Sequence, residues 1–307
     1  MNFVKKGILI MMSVLFVSGW RPSVPAAEEL SGFLTVVDDA GTEVSFDGPA
    51  RRIVSLYAGH TENLIALGAK SLLVAASNGD DPAILGSLPR VGMKPGVEMI
   101  ISLGPDLVLT RTMNIRVQEA LYSKLRSLGV KVLAIDPPTW EEFPAYIGLL
   151  SKLVGDEDPE RKSGEASSLI AGRDASGQRP GAVLITVGRS MATCAPGSWA
   201  ERIMERAGFY NAARDVVPIS RGSVIAALGA ERLLALNGKV DAVLLQRGAM
   251  NALSAADFMR DPRFSDMKAV RNGNVFDVDE ADISRPSLLR LKMGVIDSLG
   301  ELAAVGR

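Results

Sequence analysis

Two stretches of this sequence echo one another, and a chain that carries the same helix–turn–strand unit twice is constrained to fold as two similar halves. The first reads Val97-Glu98-Met99-Ile100-Ile101-Ser102-Leu103-Gly104-Pro105-Asp106-Leu107-Val108-Leu109. The second reads Ala230-Glu231-Arg232-Leu233-Leu234-Ala235-Leu236, then Asn237-Gly238-Lys239-Val240-Asp241-Ala242-Val243-Leu244-Leu245. Each opens on an acid at the head of a short apolar helix, turns at a glycine, and enters a buried strand through an aspartate. The Glu-to-Asp offset is eight residues in the first copy and ten in the second, a difference that one longer turn absorbs. A length of 307 residues with 47% apolar content supplies enough chain for two lobes around two cores.

The start of the chain reads as an export signal. Lys5 and Lys6 precede an uncharged run over 7–20, and Val24-Pro25-Ala26-Ala27 offers the small residues of a cleavage site. An uncleaved anchor helix is the alternative, but the run falls short of the ~20 residues that span a bilayer. Residues 1–27 are therefore expected to be a signal peptide cut near Ala26 or Ala27, releasing the product into the periplasm. No cysteine stands near the cut to carry a lipid, so a soluble product is expected. Its removal takes Lys5, Lys6 and Arg21 but no acid, moving the formal charge from −1 to −4. That balance gives no reason to expect a nucleic-acid or membrane-surface partner. Cys194 is the only cysteine, so no internal disulfide can form, and it reads as a small buried apolar residue.

Along the rest of the chain, β-branched runs at 34–37 and 42–46 flank an Asp/Gly turn and predict a hairpin beside the first lobe. Strands are expected at 52–56, 72–75, 107–109 and 130–135, and a helix at 61–67 stopped by Gly68. Glu62, near the start of that helix, suits the positive end of its dipole. After Pro137-Pro138 the pattern is helical to Val154 and again over 159–171, with strands resuming at 182–187, 242–245 and 274–278. Pro286 is expected to open a last helix running to about Ala303. Strand and helix alternate on both sides of a helical middle. The fold class is therefore α/β: two Rossmann-like lobes with mainly parallel sheets, joined by a helical bridge. The expected boundaries are 28–140 for the first lobe with its hairpin, 141–180 for the bridge and 181–307 for the second lobe.

Several segments together resemble the substrate-binding proteins of ABC importers for iron-siderophores, cobalamin and haem. Arg52-Ile53-Val54-Ser55-Leu56 with Thr61-Glu62-Asn63-Leu64-Ile65-Ala66-Leu67-Gly68 is similar to the family's opening strand and helix. The segment from Val97-Glu98 to Pro105-Asp106-Leu107-Val108 is its most recognisable one. Asp261-Pro262-Arg263-Phe264, Ala269-Val270-Arg271-Asn272-Gly273-Asn274-Val275-Phe276 and Ser284-Arg285-Pro286-Ser287 resemble its late signatures. The resemblance implies two lobes joined by one long helix, with the ligand held between them. Gly164, Gly172 and Gly177 stand where that helix should be unbroken.

The resemblance also implies that Glu98 and Glu231 dock the protein onto basic residues of an inner-membrane ABC permease. Two separated charges fix orientation better than one. The alternative is that each only caps its helix, where an acid is worth about 0.3–1 kcal/mol, and both roles are compatible. A pairing of the two as general acid and base has no nucleophile or metal set to support it.

Ligand groups in open α/β lobes come from loops at the carboxyl ends of strands. Those loops supply Tyr57 and His60, Arg111 and Met113, Arg189 and Met191, Arg221, and Arg247 with Met250. Guanidinium forks suit the anionic oxygens of metal chelates. Arg111 and Arg247 are the strongest candidates, because the resemblance implies arginines after the matching strands in members that bind anionic siderophores. Loop arginines such as Arg189 and Arg221 also occur as plain surface charges, and the methionines are either adaptable ligand contacts or core filler. His60, the only histidine, and Tyr57 are able to coordinate haem iron, whereas a lone histidine beside a helix start more often bonds as an end group. One His and one Cys cannot build a zinc set, and neither an intrinsic cofactor nor a protein-built metal site is expected.

The expected function is that of a monomeric, non-enzymatic periplasmic carrier for a metal chelate, a ferric siderophore first and cobalamin or haem as alternatives. Two other classes stay open: a sensing module that docks a receptor, and an exported hydrolase. The hydrolase is disfavoured because the chain has no Gly-x-Ser-x-Gly elbow and a single histidine. The importer's ATPase is expected on another chain, since no Gly-x4-Gly-Lys-Ser/Thr loop is present.

Overall fold

Short aliphatic runs that are buried on both faces become the centres of two parallel sheets, since helices on either side keep such strands dry. The computed structural model describes residues 27–30, 33–92, 94–171, 179–248 and 251–306. The expected signal peptide, apart from Ala27, lies outside the described residues, as do Gly172, Gly177 and Met250.

The chain opens with an antiparallel sheet of β1 (Ala27–Leu30), β2 (Phe33–Val37) and β3 (Glu43–Phe46). β2 and β3 are the expected hairpin. The first lobe follows with β4 (Ile53–Ser55), α1 (Ala58–Ala66), β5 (Leu73–Ser77), α2 (Pro82–Leu85), β6 (Arg90–Val91) and α3 (Val97–Ser102). It closes with β7 (Leu107–Thr110), α4 (Thr112–Val117), α5 (Glu119–Ser127) and β8 (Lys131–Ala134). Its strands pair in the order β6-β5-β4-β7-β8, all parallel. The hairpin joins this sheet at its edge: Ala134 N donates to Asp38 Oδ2 at 3.0 Å, and Asp39 N to Ala134 O at 2.9 Å.

The bridge is a pair of mutually packed helices, α6 (Phe143–Leu153) and α7 (Pro159–Ala171). The expected interruption at Gly164 is absent. α7 runs through it, because the roughly 1 kcal/mol helix penalty of one glycine is easily outweighed by packing. α6 lies on α1 of the first lobe, and α7 touches the C-terminal segment.

The second lobe begins with β9 (Gly181–Ile185), β10 (Thr193–Cys194), α8 (Trp199–Arg206), β11 (Tyr210–Asn211), β12 (Ile225–Ala226), α9 (Ala230–Ala235) and β13 (Ala242–Arg247). It continues with α10 (Ala255–Arg260), α11 (Lys268–Arg271), β14 (Val275–Asp279), α12 (Glu280–Ser284), α13 (Leu288–Lys292) and α14 (Val295–Val305). Its parallel sheet has the order β11-β9-β13-β14, and β10 pairs with β12 separately. The single last helix expected from Pro286 is two helices. Gly294 sits between them at φ 82°, a left-handed conformation that ends α13, and Ser287 rather than Pro286 caps that helix by accepting from Arg290 N.

Alternation along the strands decides where the core lies. Ile53, Leu107, Ala182 and Leu244 all enter one continuous cluster that also takes in the hairpin, the bridge and the last helices. Their neighbours Val54 and Val108 enter a cluster confined to the first lobe, and Val183 and Val243 one confined to the second. Successive side chains on a strand point to opposite faces. One face of each sheet thus faces a core common to both lobes, which corrects the expectation of one separate core per lobe. Trp140, just before the bridge, packs at 4.7 Å on Trp199 of α8, and Phe143 at 4.9 Å on the same ring.

The two echoed segments occupy equivalent places. α3 leads into β7, which pairs with the central β4, and α9 leads into β13, which pairs with the central β9. The repeated aspartates do the same work. Asp106 accepts from Arg51 N at 2.8 Å and Arg52 N at 3.0 Å, and Asp241 from Gly181 N at 2.8 Å. Each pins the start of its own strand to the start of the central strand beside it.

Candidate functional site between the lobes

In both sheets the strand order reverses at the central pair, β4 beside β7 and β9 beside β13, and a crevice opens at the carboxyl ends of such strands. The loops that leave those ends enclose a cavity of about 420 Å³, within the size range of small-molecule sites. Tyr57 and Arg111 reach it from the ends of β4 and β7, and Asn78 from the end of β5. From the other side come Arg247 at the end of β13, Asp279 and Glu280 at the end of β14, and Arg285 beyond α12.

Tyr57 and Arg111 form one unit. The Arg111 guanidinium carbon lies 4.6 Å from the centre of the Tyr57 ring, a cation–π arrangement. Arg111 Nε is buried with no hydrogen-bond partner among the described residues. Burial pushes the Tyr57 phenol above its ordinary pKa, opposed by the positive charges of Arg285 and then Arg111. Gly59 makes room for the ring, because a Cβ there would overlap it. Arg247 is held by its own lobe: Nη1 donates to Ala252 O at 2.6 Å and Nε lies 3.8 Å from Asp277 Oδ1. Beside it, Glu280 crowds Gly248, and Asp279 caps α12 by accepting from Ala281 N at 2.7 Å.

Among the described residues, the structure brings none of the other predicted ligand residues to this cavity. His60 is fully buried in α1 and does not line the cavity; its ring lies edge-on to that of Tyr57, with centroids 5.0 Å apart. Its Nε2 lies 3.0 Å from Ile135 O and 3.3 Å from Thr110 O, and its Nδ1 lies 2.8 Å from the Tyr146 hydroxyl. The two carbonyls require a proton on Nε2, so Nδ1 accepts from Tyr146. Both nitrogens are thus occupied, and burial lowers the imidazole pKa to about 4. Asn63 extends the chain of bonds, donating to Tyr146 Oη at 3.3 Å and to Pro286 O at 3.0 Å. The histidine is an internal strut, not an iron ligand.

Arg189 is exposed and lines a different cavity, of about 610 Å³, inside the second lobe. Arg221 is exposed in the turn before β12, and Met113 is half exposed outside the cleft. Met191 is buried in the second lobe's own cluster. Glu98 and Glu231 are exposed in the first turns of α3 and α9, and among the described residues neither has an ion-pair partner. Cys194 is buried as expected, its thiol pushed up to about 12 by burial.

The sequence reading missed Asn78, Asp279, Glu280 and Arg285. The loop rule that found Tyr57 and Arg111 applies equally to the ends of β5 and β14, so the signal for the first three was present. Arg285 had no such signal, since it follows a helix. Glu62 also differs from its expected role. It lies beyond the first turn of α1, 2% exposed, and meets Arg285 and Arg290 of the C-terminal segment instead of the helix dipole.

Among the described residues no group of three or more His, Cys, Asp or Glu is placed to hold a metal ion, and no helix is long and apolar enough to cross a membrane. The sequence pattern described as periplasmic binding protein matches residues 53–281, from the first strand of the first lobe into the helix that follows β14. The chain belongs to the periplasmic binding protein family.

The chain is similar to known proteins to different extents. It is 29% identical over 136 residues to an uncharacterized ABC transporter substrate-binding lipoprotein, YvrC, of Bacillus subtilis (strain 168). That alignment covers 43% of each chain, so this chain spans less than half the length of the curated relative it matches. Among solved structures, the periplasmic haem-binding protein HutB of Vibrio cholerae superposes with a TM-score of 0.68 at 20% identity, covering 82% of this chain and 98% of that one. The ABC-type Fe3+-hydroxamate transport system protein of Saccharomonospora viridis DSM 43017 gives 0.63 at 21% identity, covering 88% and 98%. At such identities these likenesses speak for the two-lobed α/β fold.

Proposed function

We propose that this chain captures an anionic metal chelate, a ferric siderophore first, in the cleft between its lobes and delivers it from the periplasm to the permease of an inner-membrane ABC importer. The observation that carries the reading is the meeting of Arg111 from one lobe and Arg247 from the other on one cavity of about 420 Å³. Planar forks from two walls suit a ligand whose anionic oxygens point outward. Neither residue is set up as a nucleophile or a general base, which fits a carrier that performs no chemistry. Glu98 and Glu231, exposed at equivalent places on the two lobes, serve as the two docking points in this reading.

Equilibrium titration of the purified protein with ferric siderophores, haemin and cobalamin tests it. Tight binding of a ferric siderophore, weakened in Arg111→Ala, is the expected result. Binding to none of the three overturns the proposal and returns a receptor-docking sensor as the better reading.

A second reading, haem, has one observation in its favour. Tyr57 lines the cavity with two arginines acting on its phenol, and a phenolate is able to ligate haem iron. It predicts a Soret band that changes in Tyr57→Phe and does not change in a His60 variant. Cobalamin binding predicts neither change.

A further inference from the structure

We infer that Arg285 is a ligand-contacting residue of the cleft, aimed by the buried carboxylate of Glu62, and that it selects for anionic over uncharged chelates. The inference rests on the ligand-binding reading above and adds a residue, a positioning partner and a charge preference to it.

Arg285 leaves the end of α12 in extended backbone and lines the cavity. Its Nη1 donates to Glu62 Oε1 at 2.6 Å, and its side chain is 16% exposed against 2% for Glu62. Among the described residues Nε and Nη2 have no hydrogen-bond partner, so one tooth of the fork is engaged and the remaining donors are free. Arg290 makes the useful contrast. It reaches the same Glu62 oxygen at 3.1 Å but also lies 3.3 Å from Asp282 and 3.7 Å from Asp81, and it does not line the cavity. Three carboxylates lie within ion-pair distance of Arg290, whereas one lies within that distance of Arg285. An arginine whose charge is needed only for burial would be satisfied as Arg290 is.

Glu62 belongs to α1, the helix that starts directly after Tyr57. It therefore carries Arg285 with the first lobe, although Arg285 is 223 positions away in sequence. Arg285, Arg111 and Tyr57 line the same cavity, and the Arg111 guanidinium lies against the Tyr57 ring. The facing wall holds Asp279 and Glu280 beside Arg247. Arg247 is held by Ala252 O and Asp277, so the free guanidinium donors of the cleft are those of Arg285 and Arg111. A ligand with a dense anionic surface gains from that arrangement, and an uncharged ligand does not.

The test compares a ferric tris-catecholate, which is anionic, with an uncharged ferric trihydroxamate, titrated into the full chain. Arg285→Gln is expected to weaken the catecholate complex by about tenfold or more, or about 1.4 kcal/mol, and to leave the hydroxamate affinity within a factor of about two. Arg285→Lys, which keeps the charge and the contact with Glu62 but loses the planar fork, is expected to fall between Arg285→Gln and the parent. Arg290→Gln is expected to lower the Tm while leaving the ratio of the two affinities unchanged. The inference is overturned if the parent protein binds both chelates and the ratio is the same in both Arg285 variants, or if Arg290→Gln moves the ratio as much as Arg285→Gln does. A parent protein that binds neither chelate sinks the ferric-siderophore reading itself, and this inference with it.

Discussion

Glu62 in the first lobe accepts a hydrogen bond of 2.6 Å from Arg285, which follows the second lobe's last strand and α12, so the two lobes are bonded to each other. Arg290 approaches the same oxygen at 3.1 Å. Removing one partner of a buried pair leaves the others uncompensated, at a cost of about 3–5 kcal/mol. Glu62→Ala is therefore expected to lower stability by about that much in urea denaturation, while a surface pair such as Arg161 with Asp158 changes it by less than about 1 kcal/mol when broken.

The imidazole of His60 gives the protein a built-in acid sensitivity. Its pKa is lowered from 6.5 to about 4 in the folded state, so between those values the unfolded chain binds the extra proton. Stability from this group is fully present above pH 6.5 and is lost as the pH falls toward 4, by about 3 kcal/mol in all. Denaturation midpoints measured between pH 4 and 7 should show a shallower fall in His60→Gln than in the parent protein. An equal slope in both would contradict the assignment.

Asp106 and Asp241 play the same part in their lobes but in different surroundings. The amides of Arg51 and Arg52 that bond Asp106 are exposed, so water replaces the lost acceptor in Asp106→Ala, and the expected cost is about 1 kcal/mol. Asp241 bonds a part-buried amide at Gly181, where a Cβ would overlap the Lys239 carbonyl, and it also pairs with Lys268 at 2.5 Å. Asp241→Ala should cost more than Asp106→Ala. Chemical denaturation of the two single variants and the double decides it, with near-additive effects expected for sites that share no partner and lie in different sheets.

The exposed glutamates separate docking from ligand binding. Glu98→Ala and Glu231→Ala should leave chelate affinity unchanged and each reduce uptake through the reconstituted importer severely. A loss of ligand affinity in either variant would falsify the docking assignment. Because each acid also sits in a first helical turn, a stability loss of about 0.3–1 kcal/mol is expected alongside.

Much of the architecture was legible because it follows from local periodicity. The central strands were found within a residue or two, since a buried parallel strand must be aliphatic on both faces. The hairpin was legible from its Asp/Gly turn. Helix ends were read less well: α1 starts three residues earlier than expected, at Ala58, and Gly294 divides the last helix. The long-range polar partnerships were not legible at all. His60 and Tyr57 are in ring contact, yet only Tyr57 lines the cavity, while the nitrogens of His60 bond to Tyr146 and to buried carbonyls.

The doubled segment by itself determined that the molecule has two similar α/β lobes, each with a glutamate at the head of a short helix and an aspartate before a buried strand, because those features depend on residues close together in sequence. Only the tertiary structure decided that the lobes share one core, that His60 is a strut, and that Arg285 rather than Arg189 or Arg221 lines the cleft. The reason is physical: a side chain's role depends on the partners that burial brings within about 3 Å of it, and for Glu62 and Arg285 those partners stand 223 residues apart.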